Sequence, residues 1–202
     1  MLIDISPLVH PGTAVWPGDV AFRRDVALSM AAGANLELSS ITTTVHVGAH
    51  TDAPNHYVLG GAGIAERPLE LYYGPVEVVE ARGQGRIQPE EIGPVRAPRV
   101  LFKTGSMPDP DHFNTDFRSL SPELVHALAA QGVCLVGLDT PSVDPFSSKA
   151  LESHNAIAQH DLAVLEGVVL DDVEPGLYTL IAFPLKLEGA DASPVRAVLV
   201  SG

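Results

Sequence analysis

Residues 46–56 read HVGAHTDAPNH, which puts three of the chain's eight histidines and one aspartate within a single short stretch. Imidazole nitrogens and carboxylate oxygens without sulfur suit zinc, manganese and similar borderline divalent ions, with zinc the first expectation. His46, His50, Asp52 and His56 share parity. On an extended chain His46, His50 and Asp52 then project to one side, and Val47 and Ala49 to the other. Four residues of extended strand cover roughly 13 Å, close to the limit for two imidazoles converging on one ion, so the strand must bend. Gly48 lies between them, and a glycine there permits a bulge or a close backbone approach. A helix would also present His46 and His50 together, but Thr42-Thr43-Thr44-Val45 before and Pro54 after oppose one.

The elements that must position this cluster are short and β-rich, because Gly (18) and Pro (17) interrupt any long helix. Strands are predicted at Leu2–Ile5, Val20–Ser29, Leu36–Val47, Val76–Glu80, Val100–Thr104, Val133–Leu138, Tyr178–Phe183 and Arg196–Val200. A helix begins at Ser121 as N-cap with Pro122 in the first helical position, buries Leu124, Val125 and Leu128, and stops at Gly132. A second helix is predicted over Lys149 to about His160. Two irregular stretches, Pro7–Asp19 and Gly48–Pro68, are rich in Gly, Pro, His and Asp, the profile of functional loops. The fold class expected is α/β: one domain over residues 1–202, a mixed or antiparallel sheet curling around the site, and a few helices outside.

Lys and Arg number 12 against 25 Asp and Glu, a net charge of −13, so nucleic acid is an unfavourable partner for the average surface field. The single Cys134 excludes an internal disulfide or thiolate cluster, and its apolar run Val133–Val136 predicts burial. Met1–Ser6 lacks a basic region and carries Asp4, and no apolar stretch reaches the ~18 residues of a membrane span. The expectation is a cytoplasmic protein acting on a small molecule.

HVGAHTDAPNH resembles the HxGxHxDxPxH signature of the cyclase-like metal hydrolases, and within them the bacterial kynurenine formamidases (arylformamidases). DISPLVHPGTAVWPGD, LDTPSVDP and AVLEGVVLDDVEPGLYTLIAFPLKLEGADASPVRAVL extend the likeness over nearly the whole chain. The resemblance implies a swivelling β/β/α fold, a homodimer or higher oligomer, and two divalent metal ions. His46, His50 and Asp52 would hold the first metal, Asp52 would bridge to the second, and His154 and Glu166 would complete the pair. It further implies proton transfer by His56, contact of Trp16 with an aromatic substrate, and hydrolysis of N-formyl-L-kynurenine to kynurenine and formate in tryptophan degradation. A related hydrolase of a cyclic amide such as isatin, and a non-catalytic metal or aromatic-ligand binder, are the competing functions.

Helix geometry constrains this set, because a continuous helix from His154 to Glu166 would separate them by roughly 18 Å. The helix must therefore end near His160 or Asp161, with Leu162–Leu165 returning in extended form. His160 competes with His154 as the ligand. His10, His112 and His126 lack ligand-like neighbours in sequence, and the loop from Gly105 to Ser119 is assigned no role.

Overall fold

Three apolar runs, Val100–Phe102, Leu135–Leu138 and Ala163–Leu165, lack polar alternation and so need cover on both faces. The computed structural model, which describes residues 1–201, pairs them in parallel as neighbouring strands. In chain order the first elements are β1 (Leu2–Asp4), β2 (Arg23–Leu28), β3 (Leu38–Thr42), β4 (His50–Asp52), β5 (Tyr73–Glu80) and β6 (Arg86–Ile87). There follow β7 (Arg99–Lys103), β8 (Ser119–Leu120), α1 (Pro122–Ala130), β9 (Leu135–Leu138) and α2 (Glu152–Gln159). The last are β10 (Ala163–Leu165), β11 (Gly176–Ile181), β12 (Ala192–Pro194) and β13 (Val198–Val200).

Seven strands form one mixed sheet in the order β1-β13-β11-β5-β7-β9-β10. Pairings from β1 to β5 are antiparallel, and those from β5 to β10 are parallel. Side chains alternate between two cores. Leu101, Leu135 and Leu165 pack with Ile5 and Tyr72 on one face; Val100, Phe102, Val136 and Val164 pack with Leu124, Leu128 and Ile157 on the other. The helices α1 and α2 thus cover one face, and the loops that carry the histidine cluster lie near the other.

α1 starts as its sequence dictates, with the Ser121 hydroxyl accepting from the Leu124 N–H at 3.1 Å. α2 starts later than Lys149, because Leu151 adopts a left-handed conformation and the N–H groups of Ser153 and His154 donate to the Asp144 carboxylate. It ends at Gln159, and Asp161 at φ 51° turns the chain into β10. That is the helix and return required to bring Glu166 back. The strand predicted over Leu36–Val47 stops at Thr42, since residues 43–47 turn away from the β2 partner. Cys134 is half-buried rather than buried.

β4 is only three residues long, yet every residue is buried. It pairs with β12 on one side, Asp52 lying opposite Ala192 and His50 opposite Pro194. On its other side His50 N–H donates to the Glu166 carbonyl at 3.0 Å, and Glu166 N–H donates to the His50 carbonyl at 2.9 Å. Two glycines allow this approach. Gly48 takes φ +59° and Gly167 φ +65°, and a Cβ on Gly167 would sit 2.3 Å from the Gly48 carbonyl oxygen. Gly167→Ala is therefore expected to destabilise the protein by roughly 2–4 kcal/mol, through positive-φ strain plus displacement of the Gly48 carbonyl. Gly189→Ala, at φ +70° with no atom within 4 Å, meets the strain alone and should lose about 1 kcal/mol. Urea unfolding of the two variants measures the difference, and equal losses would remove the Gly48 contact as a determinant.

Candidate metal centre

The bridge between β4 and Glu166 delivers three donor side chains, His50, Asp52 and Glu166, to one place, where His46 and His154 meet them. Asp52, 2% exposed, lies at its middle. Its Oδ1 stands 3.0 Å from His46 Nδ1 and 3.6 Å from His50 Nε2, and its Oδ2 stands 3.6 Å from His154 Nε2. Glu166 presents Oε2 to His50 Nε2 at 3.3 Å and Oε1 to His154 Nε2 at 3.9 Å. Ligands 2.0–2.2 Å from one tetrahedral ion lie roughly 3.3 Å from each other, so these separations fit donors around a common cation. One atom sharpens the point: Asp52 Oδ1 is buried and accepts no hydrogen bond, although two imidazoles flank it. An orphaned buried carboxylate oxygen is costly unless a cation satisfies it.

Neighbouring groups fix which ring nitrogen faces inward. His50 Nδ1–H donates to the Gly48 carbonyl at 2.9 Å, leaving Nε2 free to ligate. His154 Nδ1–H donates to Asp144 Oδ2 at 2.8 Å, again leaving Nε2 inward. This is the carboxylate–histidine arrangement that orients metal ligands and raises their basicity. His46 meets carboxylates at both nitrogens, Asp52 at Nδ1 and Asp191 at Nε2, the latter at 3.0 Å. Asp191 Oδ2 also lies 3.2 Å from His56 Nδ1, so one carboxylate orients two rings whose centroids are 4.4 Å apart.

The field of these acids outweighs burial. Burial disfavours charge on His46, but Asp52 and Asp191 hold its pKa at about 9. Burial acts the same way on His154, and Asp144 and Asp52 raise its pKa to about 10. Burial opposes ionisation of Asp52 as well, yet the His154 and His46 rings keep it well below the usual carboxylate range. Asp144 is held at about 2 against its burial by the His154 ring and the N–H groups of Ser153 and His154. Tyr57, whose ring lies 5.0 Å from that of His154, has its phenol pushed up by burial and by the Asp52 charge.

His46, His50, Asp52, His154 and Glu166 thus converge, and His56 stands with them. Two compact triads emerge, His46–Asp52–His56 and His50–Asp52–Glu166, so His56 lies within ligand reach as well as at the solvent edge. Glu166 sits closer to His50 than to His154, spanning the two halves rather than belonging to one. His160 is not at the centre: its Nε2 pairs with His126 Nδ1 at 2.8 Å on the surface.

Beside the centre is a cavity of about 240 Å³, lined by His50, His56, Asp52 and Trp16 among others. Trp16 packs against Phe146 at 5.0 Å and edge-on to Phe113 at 5.5 Å. Phe113 and Met107 come from the unassigned 105–119 loop and also line the cavity. That loop is clasped to the Pro7–Asp19 loop by Ala14 N–H donating to the Pro110 carbonyl at 3.0 Å and by His10 with Asp111 at 2.9 Å. Sequence reasoning missed Asp144, Asp191 and the phenylalanines. Asp144 stands in LDTPSVDP and Asp191 in the late run, but neither has a histidine beside it in sequence to mark it.

A sequence profile of the putative cyclase family matches residues 3–145. The chain is 44% identical over 200 residues to the kynurenine formamidase of Maricaulis maris (strain MCS10), covering 97% of this chain and 96% of that protein. Among solved structures, a potential metal-dependent hydrolase with cyclase activity superimposes with a TM-score of 0.86 at 28% identity, over 98% of this chain and 96% of the other. Isatin hydrolase A of Labrenzia aggregata, bound to benzyl benzoate, gives 0.85 at 22% identity over 100% and 94%, a likeness of fold alone.

Asp144 touches no side chain of the donor set other than His154, which it holds both by the ring and by capping the first turn of α2, and it also pairs with Arg86 at 3.1 Å. Asp144→Asn is expected to weaken divalent-ion binding by roughly 10–100-fold without abolishing it. Competition titration with a chromophoric chelator measures this, and unchanged affinity would detach Asp144 from the centre.

Proposed function

The chain belongs to the putative cyclase family, and from that premise we propose that it is a metal-dependent arylformamidase hydrolysing N-formyl-L-kynurenine to kynurenine and formate. The observation that carries the reading is the buried Asp52 carboxylate, with His46 and His50 at one oxygen and His154 at the other. The 44% identity to a protein named kynurenine formamidase supports the substrate, and the aromatic wall of Trp16 and Phe113 suits an aryl ring.

On this reading His46, His50 and Asp52 hold one divalent ion, and Asp52, His154 and Glu166 a second. Their nitrogen and oxygen donors favour zinc, with manganese the alternative. Bound there, such ions supply an acidified water and a Lewis acid for a carbonyl oxygen. The side chains do the rest. Trp16 holds the ring so that the formyl group points at the centre. Asp191 fixes the orientation of His56, whose other ring nitrogen is free to carry a proton. As the C–N bond breaks, His56 delivers that proton to the aryl nitrogen, and one water is consumed for each formate and aryl amine released.

We propose that a second copy of the chain covers the exposed hairpin β2–β3, none of whose strand residues is buried. Val26, Leu28, Leu38 and Ile41 all face solvent there, and an isolated two-stranded ribbon is marginal in water. This supports the homodimer.

The tests join metal content to formate release from N-formylkynurenine. Chelation should abolish turnover reversibly, and isatin should be a far poorer substrate; preferential turnover of isatin would replace the reading with the cyclic-amide one. Asp52→Ala should lose bound metal and activity together, and full metal occupancy in that variant would rule out the bridging role. His56→Ala should lower kcat by about 10²–10⁴-fold with metal content retained. Metal loss there would make His56 a ligand.

A further inference from the structure

The cavity is lopsided in charge. Among the described residues its lining contains no Lys or Arg, while it contains Asp19 and Asp139 besides the carboxylates of the metal centre. Asp139 is 7% exposed, and it lines the cavity. Its Oδ2 accepts from the N–H groups of Thr104 at 2.9 Å and Gly105 at 2.8 Å, and its Oδ1 accepts from the Thr104 hydroxyl at 2.5 Å. An ionised carboxylate offers about four acceptor positions, so one on Oδ1 is left over. No Lys or Arg shares this lining with Asp139, and Arg82, which lies against Gly105 outside the lining and within reach of the Asp139 charge, is itself paired with Glu80 at 2.6 Å.

Asp139 stands at a definite place relative to the chemistry. In the parallel register Leu165 lies beside Gly137, so Asp139 emerges level with Gly167, one residue past Glu166. Strand spacing puts its backbone roughly 6 Å from that of Glu166. Trp16, the metal centre and Asp139 line one cavity, so the arm of an aryl formamide bound there shares the space that Asp139 borders.

We infer that Asp139 is a specificity residue, receiving an ammonium group carried on the arm of an aryl formamide substrate. This rests on the arylformamidase reading and goes beyond it, since formamide hydrolysis itself requires no such group. Asp19 is the competing acceptor. It lies on an exposed turn and already accepts from the Thr44 hydroxyl at 3.1 Å. An ion pair in water contributes little, whereas one at a buried carboxylate is far less screened. A substrate carboxylate finds no equivalent partner in the lining, so selectivity should follow the amine.

Two substrates differing only in that group provide the test: a 2-formamidophenyl ketone with a 2-aminoethyl arm, and the same ketone with an ethyl arm. The metal-loaded wild type should cleave the aminoethyl compound with at least tenfold higher kcat/KM, the difference lying mainly in KM. In Asp139→Asn this ratio should fall towards one. A ratio within one preparation is independent of the fraction of protein correctly folded. In Asp19→Asn it should stay above ten. A wild-type ratio near one, an unchanged ratio in Asp139→Asn, or loss of the ratio in Asp19→Asn would each overturn the assignment while leaving the arylformamidase reading intact. Failure of the wild type to cleave either compound would overturn both.

Discussion

Two backbone hydrogen bonds between His50 and Glu166 hold the candidate metal centre together. They join β4, which carries His50 and Asp52, to the end of β10, which comes from a distant part of the chain. The approach is close enough that the carbonyl of Gly48 occupies the space a side chain at position 167 would fill. The same carbonyl accepts from His50 Nδ1, so one peptide group sets both the spacing of the two segments and the ring nitrogen that faces inward. Without this bridge the carboxylates of Asp52 and Glu166 would lie on separate elements, with no reason to share a cation.

The parallel half of the sheet supplies the rigid floor. β7, β9 and β10 are buried along their whole lengths, and the segments leaving their C-terminal ends carry Thr104, Asp139 and Glu166. α2 rests on the opposite core through Ile157, yet its first turn reaches the centre because Asp144 ties both its N–H groups and the His154 ring to the loop after β9. Strand ends thus fix the carboxylates, and a capped helix fixes the imidazole that meets them. Loops supply His46, His56 and Asp191 at the rim of the centre and also the aromatic wall, where the clasp between residues 7–19 and 105–119 holds Trp16 against Phe113.

Much of this was legible in the residues. The clustering of donors within HVGAHTDAPNH and the α1 boundaries follow from side-chain type and capping, and the helix-and-return before Glu166 follows from reach once the family resemblance sets His154 and Glu166 at one site. The bend at Gly48 was legible too, but not its purpose: it turns the Gly48 carbonyl into the space left by the bare Gly167, a contact between remote segments that no local pattern encodes. β4 escaped for the same reason, since its strand character comes from pairing with β12 and Glu166 rather than from three residues of propensity. Asp144 and Asp191 were present in recognisable runs, yet a carboxylate that orients a histidine looks like any other acid until the fold puts the ring beside it.

The centre gathers more negative charge than it can tolerate alone. Asp52, Glu166, Asp144 and Asp191 crowd a largely buried volume, and the raised pKa values of His46 and His154 are the protein's response, protons drawn onto imidazoles by nearby carboxylates. A divalent ion meets the same demand more completely, since one cation placed between Asp52 and the histidines satisfies the orphaned Oδ1 that no proton on these rings reaches with hydrogen-bonding geometry. Metal and protons therefore compete for one field, and occupancy must weaken as pH falls, because both rings bind protons more tightly than a free histidine does. The acidity that makes the site grip cations also shapes what enters the cavity, since an approaching anion meets no Lys or Arg there while a cation does not lack for carboxylates.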